Sequence, residues 1–194
     1  MLAAGLLLGV LGVSGMPRSW AGSFRLAPLG TRVGPAAITL QNPHVVVVKS
    51  VRKLYLFDGD RLIRGYPVTL GLAPVGQKVQ AGDGRTPEGR FRICAKNSNS
   101  ANHRFLGISY PSPAVADRGL RDGLISVGEA QAIHEAHDAG RCPNWTTALG
   151  GALGLHGSAG PPGKRTAGCI ALADRHVAEL FDVLRIGDEI EILP

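Results

Sequence analysis

From His44 onward the chain offers apolar runs of only four to six residues, each cut short by glycine, proline or an Asp-Gly pair. Runs that short cannot supply the long amphipathic stripes of a helical bundle, but they match β-strands of ordinary length. The interruptions come from 27 glycines and 13 prolines in 194 residues, a high share for a helical protein and below the level of low-complexity chains. Strands are expected at residues 45–48, 53–57, 66–70, 90–95, 152–156 and 189–193. Asp58-Gly59, between Tyr55-Leu56-Phe57 and Leu62-Ile63, is a strong hairpin signal. Helical periodicity is confined to residues 129–139 and 174–184. In the second, Asp174 is the expected N-cap, and Val177, Leu180, Phe181 and Leu184 share one face. This pattern predicts a mainly β fold, a sandwich or roll of short strands with a few helices.

Residues 2–13 form an apolar stretch of twelve, too short to cross a bilayer comfortably and suited to the core of a secretory signal. Ser19-Trp20-Ala21 follows as a small-x-small cleavage site, although no Lys or Arg precedes the stretch. Residues 1–21 are therefore read as a signal peptide or N-terminal anchor, residues 22–43 as a linker, and residues 44–194 as one domain. Export to the periplasm or cell envelope is the expectation. The net charge of +6 favours an anionic partner, for which nucleic acid, an acidic wall and a membrane surface all qualify. Nucleic acid is the weakest of these, because the cations are scattered and aromatics are only 5% of the chain.

Two tempting motifs fail on chemistry. Gly163-Lys164 lacks the P-loop spacing, since Ser158 stands where a glycine is needed and Arg165 where Ser or Thr is needed. Pro161 and Pro162 would also remove backbone donors from a phosphate loop. His134-Glu135-Ala136-His137 is one residue short of a zincin helix. Two histidines so spaced could share a metal with Cys142, but a solvated helix face is the better reading. No metal or other cofactor is expected.

Three cysteines leave either one pair and one free thiol, or three free thiols. Cys169 lies in Thr166-Ala167-Gly168-Cys169-Ile170, and thirteen positions earlier His156 ends an apolar strand and precedes Gly157. Joined by a Gly/Pro-rich excursion, the two can meet across a cleft, where the imidazole takes the thiol proton and the thiolate attacks a carbonyl. Gly168 lets the backbone approach closely, and its N–H with that of Cys169 would face a developing oxyanion.

His156-Gly157 followed by Thr166-Ala167-Gly168-Cys169-Ile170-Ala171-Leu172 resembles the signature of the YkuD-type L,D-transpeptidases, a His-Gly, a variable loop and then Ser/Thr-x-Gly-Cys. A second block, Gly71-x-x-Pro74-x-Gly76-x-Lys78, Gly82-Asp83 and Thr86-Pro87-Glu88-Gly89, resembles the same family independently, and Ile108-Ser109-Tyr110-Pro111 and Gly187-Asp188-Glu189-Ile190 fall where the family has similar text. The resemblance spans residues 44–194. It departs from most members in Ala167, where they carry His, and in Ala171, where many carry an Arg that meets a substrate carboxylate. These features match a divergent branch with T-A-G-C-I-A-L text, and they leave Lys164 or Arg165 as candidates for the carboxylate contact.

The resemblance implies an L,D-transpeptidase-like domain acting on peptidoglycan stem peptides in cell-wall biogenesis. Cys169 would be the nucleophile and His156 the base, with Gly168, Gly157 and Thr166 positioning the substrate or its oxyanion. D-Ala would leave, and a Cys169 thioester would pass to an amine. With water as acceptor the enzyme would be an L,D-carboxypeptidase, and with a protein amine a protein–wall ligase. A wall-binding module of weak activity is the alternative from another class. Asp83 and Glu88 are read as turn scaffold. Export would permit a Cys94–Cys142 disulfide, and a backbone carbonyl near Tyr110 is expected to orient His156.

Overall fold

Val45, Val46, Val47 and Val48 are all buried, because the strand they form has packed apolar groups on both faces. That strand is β1 (Pro43–Val48). Val45 and Val47 enter the main core, while Val46 and Val48 join a smaller cluster with Phe57. The computed structural model describes residues 39–157 and 165–194. The signal or anchor, most of the linker and Lys164 lie outside them. Leu40 is already in the core, so the packed domain starts inside the stretch read as linker.

The chain continues through β2 (Lys53–Asp58), β3 (Arg61–Pro67), β4 (Gly89–Ser100), β5 (His103–Ile108), α1 (Pro113–Arg121), α2 (Val127–Asp138), β6 (Gly154–Gly157), β7 (Ile170–Leu172), α3 (Asp174–Val183) and β8 (Glu189–Leu193). The strands form one sheet in the order β3-β2-β1-β8-β4-β5-β6-β7. β8 is thus inserted between β1, to which it is parallel, and β4, to which it is antiparallel. β4 serves two halves of the sheet. Residues Gly89–Arg92 pair with β8, the register slips between Ile93 and Ala95, and the remainder pairs with β5. Such a slip bends a strand, and the sheet curls until its two ends meet. Thr69, just beyond edge strand β3, and Ala171 of the other edge strand exchange N–H···O bonds of 2.8 Å each way. The mainly β roll expected from the sequence is the fold observed.

The differences from the sequence reading are local. The Asp58-Gly59 turn is present, with Gly59 at φ +55°, but the next strand starts at Arg61, so residues 68–70 lie past its end. β5 and β7 were not expected. α1 was also missed. It has one large buried apolar residue, Val115, and a mid-helix glycine, although Ser112 at the N-cap and Pro113 after it are a recognised start signal. Gly119 is needed there, because a Cβ would lie 2.6 Å from Leu149 Cδ2. Asp174 does not cap α3. The N-cap is Ala173, which has no side-chain oxygen, and Asp174 falls in the first turn, where its charge still suits the helix dipole. At the other end Lys96 of β4 donates to the Phe181 and Leu184 carbonyls at 2.6 and 2.7 Å. It supplies the positive charge that the last turn of α3 lacks.

Between β3 and β4 the chain runs without regular structure, and side chains satisfy its backbone. Lys49 (5% exposed) donates to the carbonyls of Gly76 and Thr86 and to Glu88. Asp83 accepts from the Lys78 ammonium and from the N–H groups of Val79, Gln80 and Arg85. Both carboxylates therefore act as scaffold. Burial would raise the Asp83 carboxyl, but the hydrogen bonds from Lys78, Val79, Arg85 and Gln80 outweigh it and hold the pKa at about 2. A carboxylate depressed in the folded state contributes stability above its unfolded pKa, and this is lost as pH falls through about 2. The stability gap between wild type and Asp83→Asn should accordingly be widest above pH ~4 and close toward pH ~2, as read from urea unfolding across that range.

Cys94, at the bend of β4, is bonded to Cys142 in the loop after α2, with Cα atoms 5.1 Å apart. The bridge ties the α1–α2 pair to the sheet. For a sequence separation of 48, loop-closure entropy gives stabilisation on the order of 4 kcal/mol, less any strain. Cys94→Ser/Cys142→Ser should lose about 2–4 kcal/mol by denaturant titration while keeping its far-UV spectrum.

Candidate active site

Gly71 lies so close to Gly84, and Gly168 to Arg85, that neither Gly71 nor Gly168 can be replaced without moving backbone. A Cβ on Gly71 would lie 2.1 Å from the Gly84 oxygen and 3.2 Å from Gly168 Cα, and one on Gly168 would lie 2.7 Å from the Arg85 oxygen. Gly168 also has φ +140°, a region open mainly to glycine. The two sequence blocks are thereby one structural unit. Leu72 N–H donates to Thr166 O at 3.0 Å, Thr166 N–H to Leu70 O at 3.3 Å, and Gly71 N–H to the buried Thr86 hydroxyl at 3.1 Å.

Within this clamp Thr166 shapes the turn that presents Cys169. Its Oγ1 accepts from Gly168 N–H at 3.1 Å and donates to the Cys169 carbonyl at 2.6 Å. The Gly168 N–H is thus engaged, which corrects the expectation that it would join Cys169 in facing an oxyanion. The Cys169 N–H is what remains of that expected pair.

β6 and β7 are parallel neighbours, with Leu155 beside Ile170 and His156 beside Ala171. Alternation along β7 puts Cys169, two residues before Ala171, on the His156 face and level with Gly154. Phe105 of β5 stands opposite His156 on its other side. Nδ1 of His156 bonds to the Gly157 carbonyl, so the orienting acceptor is a backbone carbonyl, but not one near Tyr110, whose hydroxyl instead donates to Leu149 O. The tautomer with hydrogen on Nδ1 leaves Nε2 as the basic nitrogen. Gly157 is a packing position. Its N–H donates to Asn102 O, and a Cβ would lie 2.4 Å from Asp174 Oδ1.

Cys169 is the free cysteine of the three. Its thiol donates to the Ala152 carbonyl at 3.7 Å. Burial pushes the thiol pKa up, while a backbone hydrogen bond from Gly154 and the Lys78 charge pull it down. At rest the sulfur is therefore held mainly as a neutral thiol that needs a base. The sequence reading missed Ala152 and Gly154, although the Gly150-Gly151 pair just before them marks a sharp turn.

Of the remaining candidates, Arg165 is exposed and donates to Leu72 O at 2.9 Å, on the rim of the turn. Ala171 is buried and carries no charge. His134 pairs with Asp117 at 2.8 Å, His137 with the Pro111 carbonyl at 2.9 Å, and Cys142 is in the disulfide. These three do not converge.

The family model for the YkuD L,D-transpeptidase catalytic domain matches residues 42–192. The fold is similar to that of Bdellovibrio bacteriovorus Bd1075, at 19% identity, with 79% of this chain and 48% of that one covered and a TM-score of 0.52. It is also similar to the helical cell shape determining protein Pgp2 from Campylobacter jejuni, at 17% identity, 82% and 51% coverage and a TM-score of 0.51. An L,D-transpeptidase from Mycobacterium smegmatis aligns at 13% identity, 79% and 59% coverage and a TM-score of 0.48. The chain thus spans about half to three-fifths of the length of these solved structures. No curated protein sequence matches it.

Because one hydroxyl shapes the whole turn, Thr166→Val should cost about 1–3 kcal/mol through the Gly168 N–H left unpaired. It should also slow alkylation of Cys169, whereas Thr166→Ser should approach wild type. Denaturant titration and iodoacetamide labelling rates read the two effects.

Proposed function

The chain belongs to the YkuD family of L,D-transpeptidase catalytic domains, and we propose that it is a peptidoglycan acyltransferase with Cys169 as nucleophile and His156 as general base and acid. The observation that carries this reading is the free thiol on the face of His156, whose Nδ1 is anchored on the Gly157 carbonyl.

In this mechanism Nε2 of His156 takes the Cys169 proton as the sulfur leaves its bond to Ala152 O. The thiolate attacks the carbonyl of the third residue of a stem peptide, at its bond to the terminal D-Ala. The Cys169 N–H faces the oxygen on which charge develops. As the tetrahedral adduct collapses, the C–N bond breaks and D-Ala leaves with the proton held by His156, giving a thioester. An amine of a neighbouring stem then attacks the thioester carbonyl. His156 accepts a proton from the attacking nitrogen and passes one to the departing sulfur, restoring the thiol and leaving a cross-link between two third-position residues. Arg165, beside this turn, or Lys164 would meet a stem carboxylate, the role that Ala171 cannot fill. The reaction belongs outside the cytoplasm, in agreement with an exporting or anchoring N-terminal segment.

Digestion of purified muropeptides tests the proposal. Mass spectrometry should show release of D-Ala and a cross-linked product, and the intact protein should carry a mass adduct after exposure to a carbapenem. Cys169→Ala should abolish both. His156→Ala should slow acylation by about 10²-fold or more with the fold intact. Acylation of His156→Ala at the wild-type rate would remove the catalytic pair, and a trimmed stem without cross-link would identify water as the acceptor.

A further inference from the structure

Lys78 is, with Lys49, a buried lysine, at 2% exposure, and no step of the proposed reaction uses it. Its ammonium is held by Asp83 at 2.7 Å and by the Gln80 carbonyl at 3.0 Å. Its N–H donates to Gln77 Oε1, and its carbonyl accepts from Arg118 of α1 at 2.9 Å. Its stem lies against the turn before β6, where a Cβ on Gly150 would be 3.3 Å from Lys78 Cε and 3.2 Å from Ala81 Cα.

That turn is unusual. Gly150 has φ +82° and Ala152 has φ +51°, a left-handed conformation that a residue with a Cβ adopts only when its surroundings impose it. Gly151 between them has no room for a Cβ, which would lie 2.3 Å from Trp145 Cα. The turn is therefore gripped by Lys78 and Ala81 on one side and by Trp145 on the other. Its product is the orientation of the Ala152 carbonyl, the acceptor of the Cys169 thiol.

We propose that Lys78 is a positioning residue for Cys169: it fixes the Gly150–Ala152 turn whose carbonyl orients the thiol. The inference rests on Cys169 being the nucleophile. The charged and titratable groups around the thiol and Lys78 are His156 from β6, Asp83 on the ammonium, Arg118 on the Lys78 carbonyl and Arg85, whose guanidinium donates to Gln77 O. Asp83 offsets part of the Lys78 charge. The direction of the Lys78 effect on the sulfur is nonetheless downward in pKa, against the upward push of burial.

The test is the pH profile of iodoacetamide alkylation of Cys169, a reaction that needs no wall substrate. Lys78→Gln keeps a donor for Asp83 and drops the charge. Lys78→Met/Asp83→Asn removes both charges together and avoids stranding a carboxylate, and Lys78→Arg keeps the charge. In Lys78→Gln, which removes one unit charge and leaves Asp83, the alkylation midpoint should move to higher pH and the rate at pH 7 should fall about fivefold. Lys78→Met/Asp83→Asn, which loses the anchor of the turn but little net charge, should slow alkylation with a smaller change in midpoint. Lys78→Arg should stay within about twofold of wild type. A purely structural lysine would change thermal unfolding in all three and leave the midpoint unmoved. A folded Lys78→Gln variant with the wild-type profile therefore overturns the proposal. A chain that shows these shifts but releases no D-Ala from muropeptides would count against the proposed reaction and not against Lys78.

Discussion

The contact on which the rest of the structure depends is backbone against backbone. The Leu70–Leu72 stretch lies on the Thr166–Gly168 turn, with three glycines removing the side chains that would keep them apart. Because Thr69 and Ala171 pair just beside it, the same contact closes the curled sheet and sets the height of Cys169. A stretch with no strand or helix of its own has thus become the floor of the site. It holds that position because two buried ammonium groups, Lys49 and Lys78, replace the partners that a sheet would have supplied. Ion pairs this buried give little net stability by themselves, but removing one partner is costly. They fix where the segment lies more than how strongly it is held.

The site balances two demands on one sulfur. Burial excludes water, which sharpens every electrostatic interaction there, and it also opposes the charged form of the thiol. The chain answers with small, directional contributions. A carbonyl accepts the S–H, the Gly154 backbone favours the thiolate, and an imidazole has one nitrogen anchored so that the other is free to work. No helix N-terminus is needed. The first turn of α3 begins four residues or more beyond Cys169, outside the reach of its dipole.

How much of this was legible in the sequence depended on whether the signal was local. The β1 run, the Asp58-Gly59 hairpin, β8 and two helices announce themselves through residues close in sequence. Cys169 and His156 could be picked out as a candidate pair because a cysteine, a histidine and flanking glycines are a chemical pattern in themselves. β5 was not read as a strand, since His103 and Arg104 open it and Gly107 interrupts it. Gly107 is there because Trp145 and Phe105 occupy the space that its Cβ would take. β7 is three residues long and exists only because β6 and Thr69 flank it. The engagement of the Gly168 N–H by Thr166 and the left-handed turn at Ala152 are likewise tertiary facts, and no propensity encodes them.

The position of β8 has a consequence for how such a molecule can come into being. The strand that the chain delivers after all the others sits in the middle of the sheet, bonded to β1 on one side and β4 on the other. A chain emerging N-terminus first can form the β1–β2–β3 meander early, since those contacts are local, but it has nothing to join that meander to β4 until Glu189–Leu193 arrives. Contact order is therefore high where it matters most, and folding is slow and close to all-or-none. Until β8 is in place, β1 and β4 both present open edges. With this wiring the sheet is committed to its final shape only when β8 is laid between β1 and β4.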